Sequence, residues 1–125
     1  MLNSTRCKAK RLYSEENMEE RVWINLLMDF YGGLLTKHQR DTLELYLMED
    51  LSLGEIAEET GITRQGVRDA IVRGKAALNQ AEENAGIVKR YLEFRERMEE
   101  VRAMAEGNES LITKLDAAME IWEGE

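Results

Sequence analysis

Apolar residues recur along this chain at intervals of three and four, the period of helices. Val22, Trp23, Leu26, Leu27, Phe30 and Tyr31 form one such stripe and predict a first helix from Asn17 to about Tyr31. Asn17 can cap it, and Glu19 and Glu20 suit its positive end. Gly32-Gly33 stops it. Thr36 caps a second helix with Leu43, Tyr46 and Leu47 on one face, and Met48 to Leu51 link it to a third.

The stretch from Leu51 to Leu78 carries the most information. Ser52 and Glu55, three residues apart, form a capping box ahead of Leu53, Ile56 and Ala57 on one face. Ala57 is small enough for two helices to approach closely. Gly61 supplies the left-handed residue that ends one helix and begins a turn, Ile62 plugs the turn, and Thr63 caps the next helix. Val67, Ile71 and Leu78 continue the buried stripe to about Glu83. The polar side of this second helix carries Arg64, Gln65, Arg68, Asp69, Arg73 and Lys75. Two short helices joined by a tight turn, with arginine and glutamine early on the second, are the sequence form of a helix-turn-helix. Those side chains suit guanine and adenine edges. Gly66 and Gly74 are expected as weak points of the helix, each costing about 1 kcal/mol relative to alanine. Gly66 either lets the backbone come close to nucleic acid or marks lost readout side chains.

After Gly86 the spacing changes. Ile87, Tyr91, Phe94, Met98, Val101 and Ala105 alternate intervals of four and three, a heptad seam. Gly107-Asn108 breaks it, and Leu111, Leu115, Ala118 and Trp122 resume it, with Ile112 and Met119 widening the stripe. The pattern predicts an antiparallel helical hairpin that folds back on the first helices or pairs with a second chain. A homodimer would present two recognition helices to two half-sites. The organisation expected is a basic tail over residues 1–16, a helix-turn-helix domain over 17–85 and a helical extension over 86–125.

Charge sharpens the picture. The 125 residues carry a formal net charge of -8 and include no proline. An acidic chain of this kind is no general nucleic-acid coat. The charge is uneven, however. Residues 1–12 carry only positive charges, Arg6, Lys8, Lys10 and Arg11, and residues 63–80 carry Arg64, Arg68, Arg73 and Lys75 against the single acid Asp69. The recognition helix is a basic island on an acidic body, which would orient an approaching polyanion.

Other chemistries find little support. Cys7 and His38 are each alone, so neither a disulfide framework nor a cysteine–histidine metal site or nucleophile pair is expected. His38 reads as a surface helix residue. The pairs Glu58-Glu59, Glu82-Glu83 and Glu99-Glu100 are adjacent on helices and do not face one another. No catalytic constellation, cofactor or metal site is expected, and the chain reads as a non-enzyme. No apolar run approaches the roughly 20 residues of a membrane span, and the basic start lacks a signal-peptide core, so a cytoplasmic location without membrane association is expected.

Asp29-Phe30-Tyr31, Leu34-Leu35-Thr36, Gln39-Arg40, Leu45-Tyr46 and the run Asp50-Leu51-Ser52-Leu53-Gly54-Glu55-Ile56-Ala57-Glu58-Glu59 resemble the YlxM family of small bacterial helix-turn-helix proteins. Thr63-Arg64-Gln65-Gly66-Val67 stands where that family usually has Ser-Arg-Gln-Ala-Val, and Arg68 stands where an aromatic is common. The resemblance covers about residues 18–105. It implies an all-α fold like the sigma-factor region that reads the upstream promoter element, unrelated to winged helices. Its core would be of three or four helices, with the helical hairpin after it. It further implies a regulatory, non-enzymatic role associated with the signal recognition particle pathway. Carried over, Arg64, Gln65 and Arg68 would touch nucleic acid, with Arg73 and Lys75 on phosphates. Three readings stay open: a regulator that binds duplex DNA, an accessory protein on the particle's RNA or GTPase, and a protein-interaction adaptor built on a helix-turn-helix.

Overall fold

The computed structural model describes residues 19–123. Among these are six α-helices and no strand: α1 (Glu20–Tyr31), α2 (Lys37–Leu47), α3 (Leu53–Thr60), α4 (Arg64–Ala85), α5 (Ile87–Met104) and α6 (Glu109–Glu123), with a 3-10 turn at Gly32–Leu34. Asn17, Cys7 and the basic residues Arg6, Lys8, Lys10 and Arg11 lie outside the described residues. The described residues form two compact units, one running through Val88 and one beginning at Lys89.

In the first unit α4 is the spine, and α1, α2 and α3 all pack on it. Local sequence starts and stops these helices. Thr36 Oγ1 accepts the Gln39 N–H at 3.1 Å, and the Gln39 side chain returns the bond to the Thr36 N–H. Ser52 and Glu55 make the same reciprocal box on α3. The first helix departs from expectation. It begins at Glu20, with Glu19 at the cap position and no side-chain cap bond. Its buried face is also turned from the expected stripe: Ile24 is 1% exposed, whereas Val22 is 47% exposed. The stripe Trp23, Ile24, Leu27 and Tyr31 meets α4, where the indole Nε1 of Trp23 donates to Asn79 Oδ1 at 3.3 Å.

The link from α2 to α3 turns at Asp50, a non-glycine residue with φ of 56°. Arg21 holds it from α1 through a 2.6 Å bond to Asp50 Oδ1. Gly74, expected as a weak point, is instead a buried crossing. A Cβ there would lie 2.8 Å from Leu43 Cδ1, and Leu43 is itself fully buried, so glycine sets how closely α2 approaches α4.

At the far end of α4, Gly86 is left-handed (φ 64°) and ends the helix, and α5 starts at once. Gly86 has no side chain to cap α5. Two residues of the core supply the acceptors: Tyr31 Oη takes the Ile87 N–H at 3.1 Å, and Glu82 Oε1 takes the Val88 N–H at 3.0 Å. Val88 is fully buried in this unit.

The second unit is an antiparallel hairpin. The rings of Tyr91, near the start of α5, and Trp122, near the end of α6, have centroids 6.5 Å apart. Closer to the turn, Arg102 donates to both carboxylate oxygens of Asp116, at 2.8 and 3.3 Å, and holds that carboxyl below its ordinary range. Asn108 caps α6 by accepting the Leu111 N–H at 3.1 Å.

Candidate nucleic-acid interface

The helix-turn-helix consists of α3, the turn Gly61–Thr63 and α4. Gly61 has φ of 76°, and its N–H bonds to the Ala57 carbonyl at 2.9 Å. This is the left-handed end that only glycine adopts without strain. Thr60 Oγ1 donates to the Ile56 carbonyl at 2.7 Å, one turn back in α3. Ile62 is half-buried, and Thr63 Oγ1 accepts the Gly66 N–H at 3.0 Å to open α4. Ile56 and Val67, one from each helix, are fully buried and fix the crossing.

Gly66 has a local reason. A Cβ there would lie 2.9 Å from Ile62 Cγ2 and 3.1 Å from Thr63 Oγ1. The residue makes room for the plug of the turn, and an alanine in its place needs Ile62 to shift.

The buried side of α4 is Val67, Ala70, Ile71, Gly74 and Leu78. At ~100° per residue, Gln65, Asp69, Val72 and Ala76 occupy the middle of the opposite side. Arg64 and Arg68 fall on one flank of that strip and Arg73 on the other. All three arginines are exposed, and no carboxylate among the described residues pairs with them. Gln65 is exposed but engaged: its Nε2 donates to Asp69 Oδ1 at 3.0 Å, one helical turn on.

Lys75 shares the flank of Arg64 and Arg68, about two turns further along α4, but its charge is engaged. Its ammonium donates to Glu20 Oε1 at 3.0 Å and lies 5.4 Å from the centroid of the Tyr46 ring. Its side chain is 22% exposed. It ties α4 to α1 and α2.

Val72, which belongs to neither the apolar stripe nor the polar set expected of this helix, is 55% exposed in the middle of the polar strip. The available signal was its place, one residue past the buried Ile71. Of the heptad seam, Ile87 and Phe94 are each 37% exposed and Val101 is 43% exposed, while Tyr91 and Met98 are half-buried. Leu92 and Ala105 are the buried apolar residues of the second unit. His38 is exposed on α2, with Nδ1 3.5 Å from Thr42 Oγ1. Among the described residues no group of three acidic, histidine or cysteine side chains is placed to hold a metal, and no helix is long and apolar enough to cross a membrane.

Comparison with known proteins agrees with this geometry. Residues 18–118 match the family model for YlxM/p13-like helix-turn-helix proteins. A protein of Acetivibrio thermocellus is 54% identical over 76 residues, which span 61% of this chain and 65% of the relative. A protein of Desulforamulus reducens is 45% identical over 93 residues, 74% of this chain and 80% of the relative. The YlxM protein of Bacillus subtilis is 41% identical over 106 residues, 83% of this chain and 96% of the relative.

Proposed function

Because the chain belongs to the UPF0122 family of YlxM/p13-like helix-turn-helix proteins, we propose that it is a DNA-binding regulator whose α4 enters the major groove. The observation that carries this reading is the set of three exposed arginines, Arg64, Arg68 and Arg73, that no described carboxylate neutralises, on the second helix of the motif. Their two flanks suit the two phosphate walls of a groove, and the strip between them faces the bases. There Gln65 can exchange its bond to Asp69 for an adenine edge, and Val72 offers an apolar contact to a thymine methyl. Lys75 has a structural part in this scheme, since its charge is already engaged by Glu20.

The finer reading puts this regulator in the signal recognition particle pathway, as the family resemblance implies. In that role the particle's RNA or GTPase is the partner. An RNA helix has a major groove too deep and narrow for α4, so contact would be with loops, phosphates or protein. Homodimerisation through α5 completes the proposal, supported by the exposure of Phe94 and Val101.

Fluorescence anisotropy at low and physiological salt tests the reading. The ligands are duplex DNA from upstream of the gene, a scrambled duplex and the particle RNA. Binding to duplex that weakens steeply with salt and collapses in Arg64→Ala/Arg68→Ala supports it. Absence of duplex binding at low salt overturns it.

A further inference from the structure

The face formed by α2 and the end of α3 carries no part of the arginine surface. It contains an open groove of about 560 Å³. Leu45 and Met48 supply its apolar lining, and Met48 is 62% exposed. Glu44, Glu49 and Glu59 edge it, together with Asp41, whose carboxylate already accepts a 2.8 Å bond from Lys37. The acids are spread along the groove, and among the described residues no three acidic side chains cluster to hold a metal. A field of this sign repels phosphates, which excludes a second nucleic-acid surface.

We propose that this groove docks a cationic amphipathic segment of a partner protein. An apolar side chain of the segment would rest on Leu45 and Met48 while its lysines or arginines face Glu44, Glu49 and Glu59. The basis is charge complementarity around an exposed apolar contact, the arrangement in which a central anchor gives affinity and rim charges give orientation. The proposal does not depend on DNA binding, since none of the lining residues belongs to α4. A single unit then carries two surfaces of opposite charge, one for a polyanion and one for a polycation.

The test uses the full chain with labelled methionine methyls, the Met48 signal being assigned by its loss in Met48→Leu. The probe is a synthetic helical peptide of lysine and leucine in which leucines share one face. A second peptide of equal charge carries glutamine for every leucine. The expected result is a saturable shift of the Met48 methyl by the leucine peptide, with binding at least about tenfold weaker for the glutamine peptide. Glu44→Lys/Glu49→Lys should weaken binding about tenfold, and Glu99→Lys/Glu100→Lys on α5 by less than about twofold. The milder pair Glu44→Gln/Glu49→Gln, checked by its melting curve, serves if charge reversal disturbs folding. Equal losses from both sites, equal binding of the two peptides, or shifts that bypass Met48 would overturn the proposal.

Discussion

Tyr31 donates its hydroxyl proton to Glu82 Oε1 at 2.6 Å, and the two side chains then share the start of α5, Tyr31 accepting from Ile87 and Glu82 from Val88. A tyrosine at the end of α1 and a glutamate near the end of α4 thus do what a capping residue does elsewhere. Tyr31→Phe leaves the Ile87 N–H without its acceptor and should lower stability by about 1–2 kcal/mol. Chemical denaturation of both proteins checks this. An unchanged midpoint would mean that water replaces the hydroxyl without loss.

The same pair sets an alkaline limit. Burial, and next the bond to Glu82, raise the Tyr31 phenol above its ordinary value of 10.0. The folded state therefore keeps this proton at a pH where the unfolded chain has released it. The stabilisation is complete below about pH 10 and is lost as pH rises through the folded-state value. A plot of stability against pH for wild type minus Tyr31→Phe should be flat to about pH 10 and fall above it.

Gly74→Ala tests the crossing of α2 and α4. Helix propensity alone favours alanine by about 1 kcal/mol. The added Cβ meets the end of the buried Leu43 side chain, which must shift within the core, and overpacking costs about 1–3 kcal/mol. The net expectation is a destabilisation of about 1 kcal/mol, read by thermal melting. An increase in melting temperature would show that α2 shifts freely.

Thr63→Ala removes the cap of α4 at the junction with the turn. The expected loss is about 1 kcal/mol. Thr63→Ser keeps the acceptor for the Gly66 N–H and should recover most of it, as measured by urea midpoints.

Arg73→Ala and Lys75→Ala should separate two kinds of basic residue. If Arg73 meets a phosphate, its loss reduces the slope of log affinity against log salt by about 1 and leaves stability unchanged. Loss of Lys75 should instead lower the melting temperature and leave the salt slope alone, because its charge is held by Glu20 and Tyr46. A salt slope reduced equally by both substitutions would return Lys75 to the binding surface.

The local grammar of the motif was legible in the sequence. Ser52 with Glu55, Gly61, Ile62 and Thr63 act within a few residues of one another, so spacing and residue type suffice to place them. The partners of Tyr31, Gly74 and Lys75 lie far along the chain and were not legible. Lys75 and Glu20 are 55 residues apart and Tyr31 and Glu82 are 51 apart, and no periodicity encodes such pairings. Helix α1 falls between the two cases. Val22 and Ile24 flank Trp23 symmetrically, and only the position of α4 decides that isoleucine turns inward.

Lys75 and Gly74 have one more effect when taken together. The salt link to Glu20 and the contact with Leu43 act as a key and keyway on adjacent residues of α4, and with the buried Val67, Ile71 and Leu78 they hold one face of the helix against its neighbours. The azimuth at which Arg64, Arg68 and Arg73 stand is therefore set when the chain folds. A binding partner need restrict only the guanidinium side chains, at about 0.5–1.5 kcal/mol each, and not the orientation of the helix that bears them.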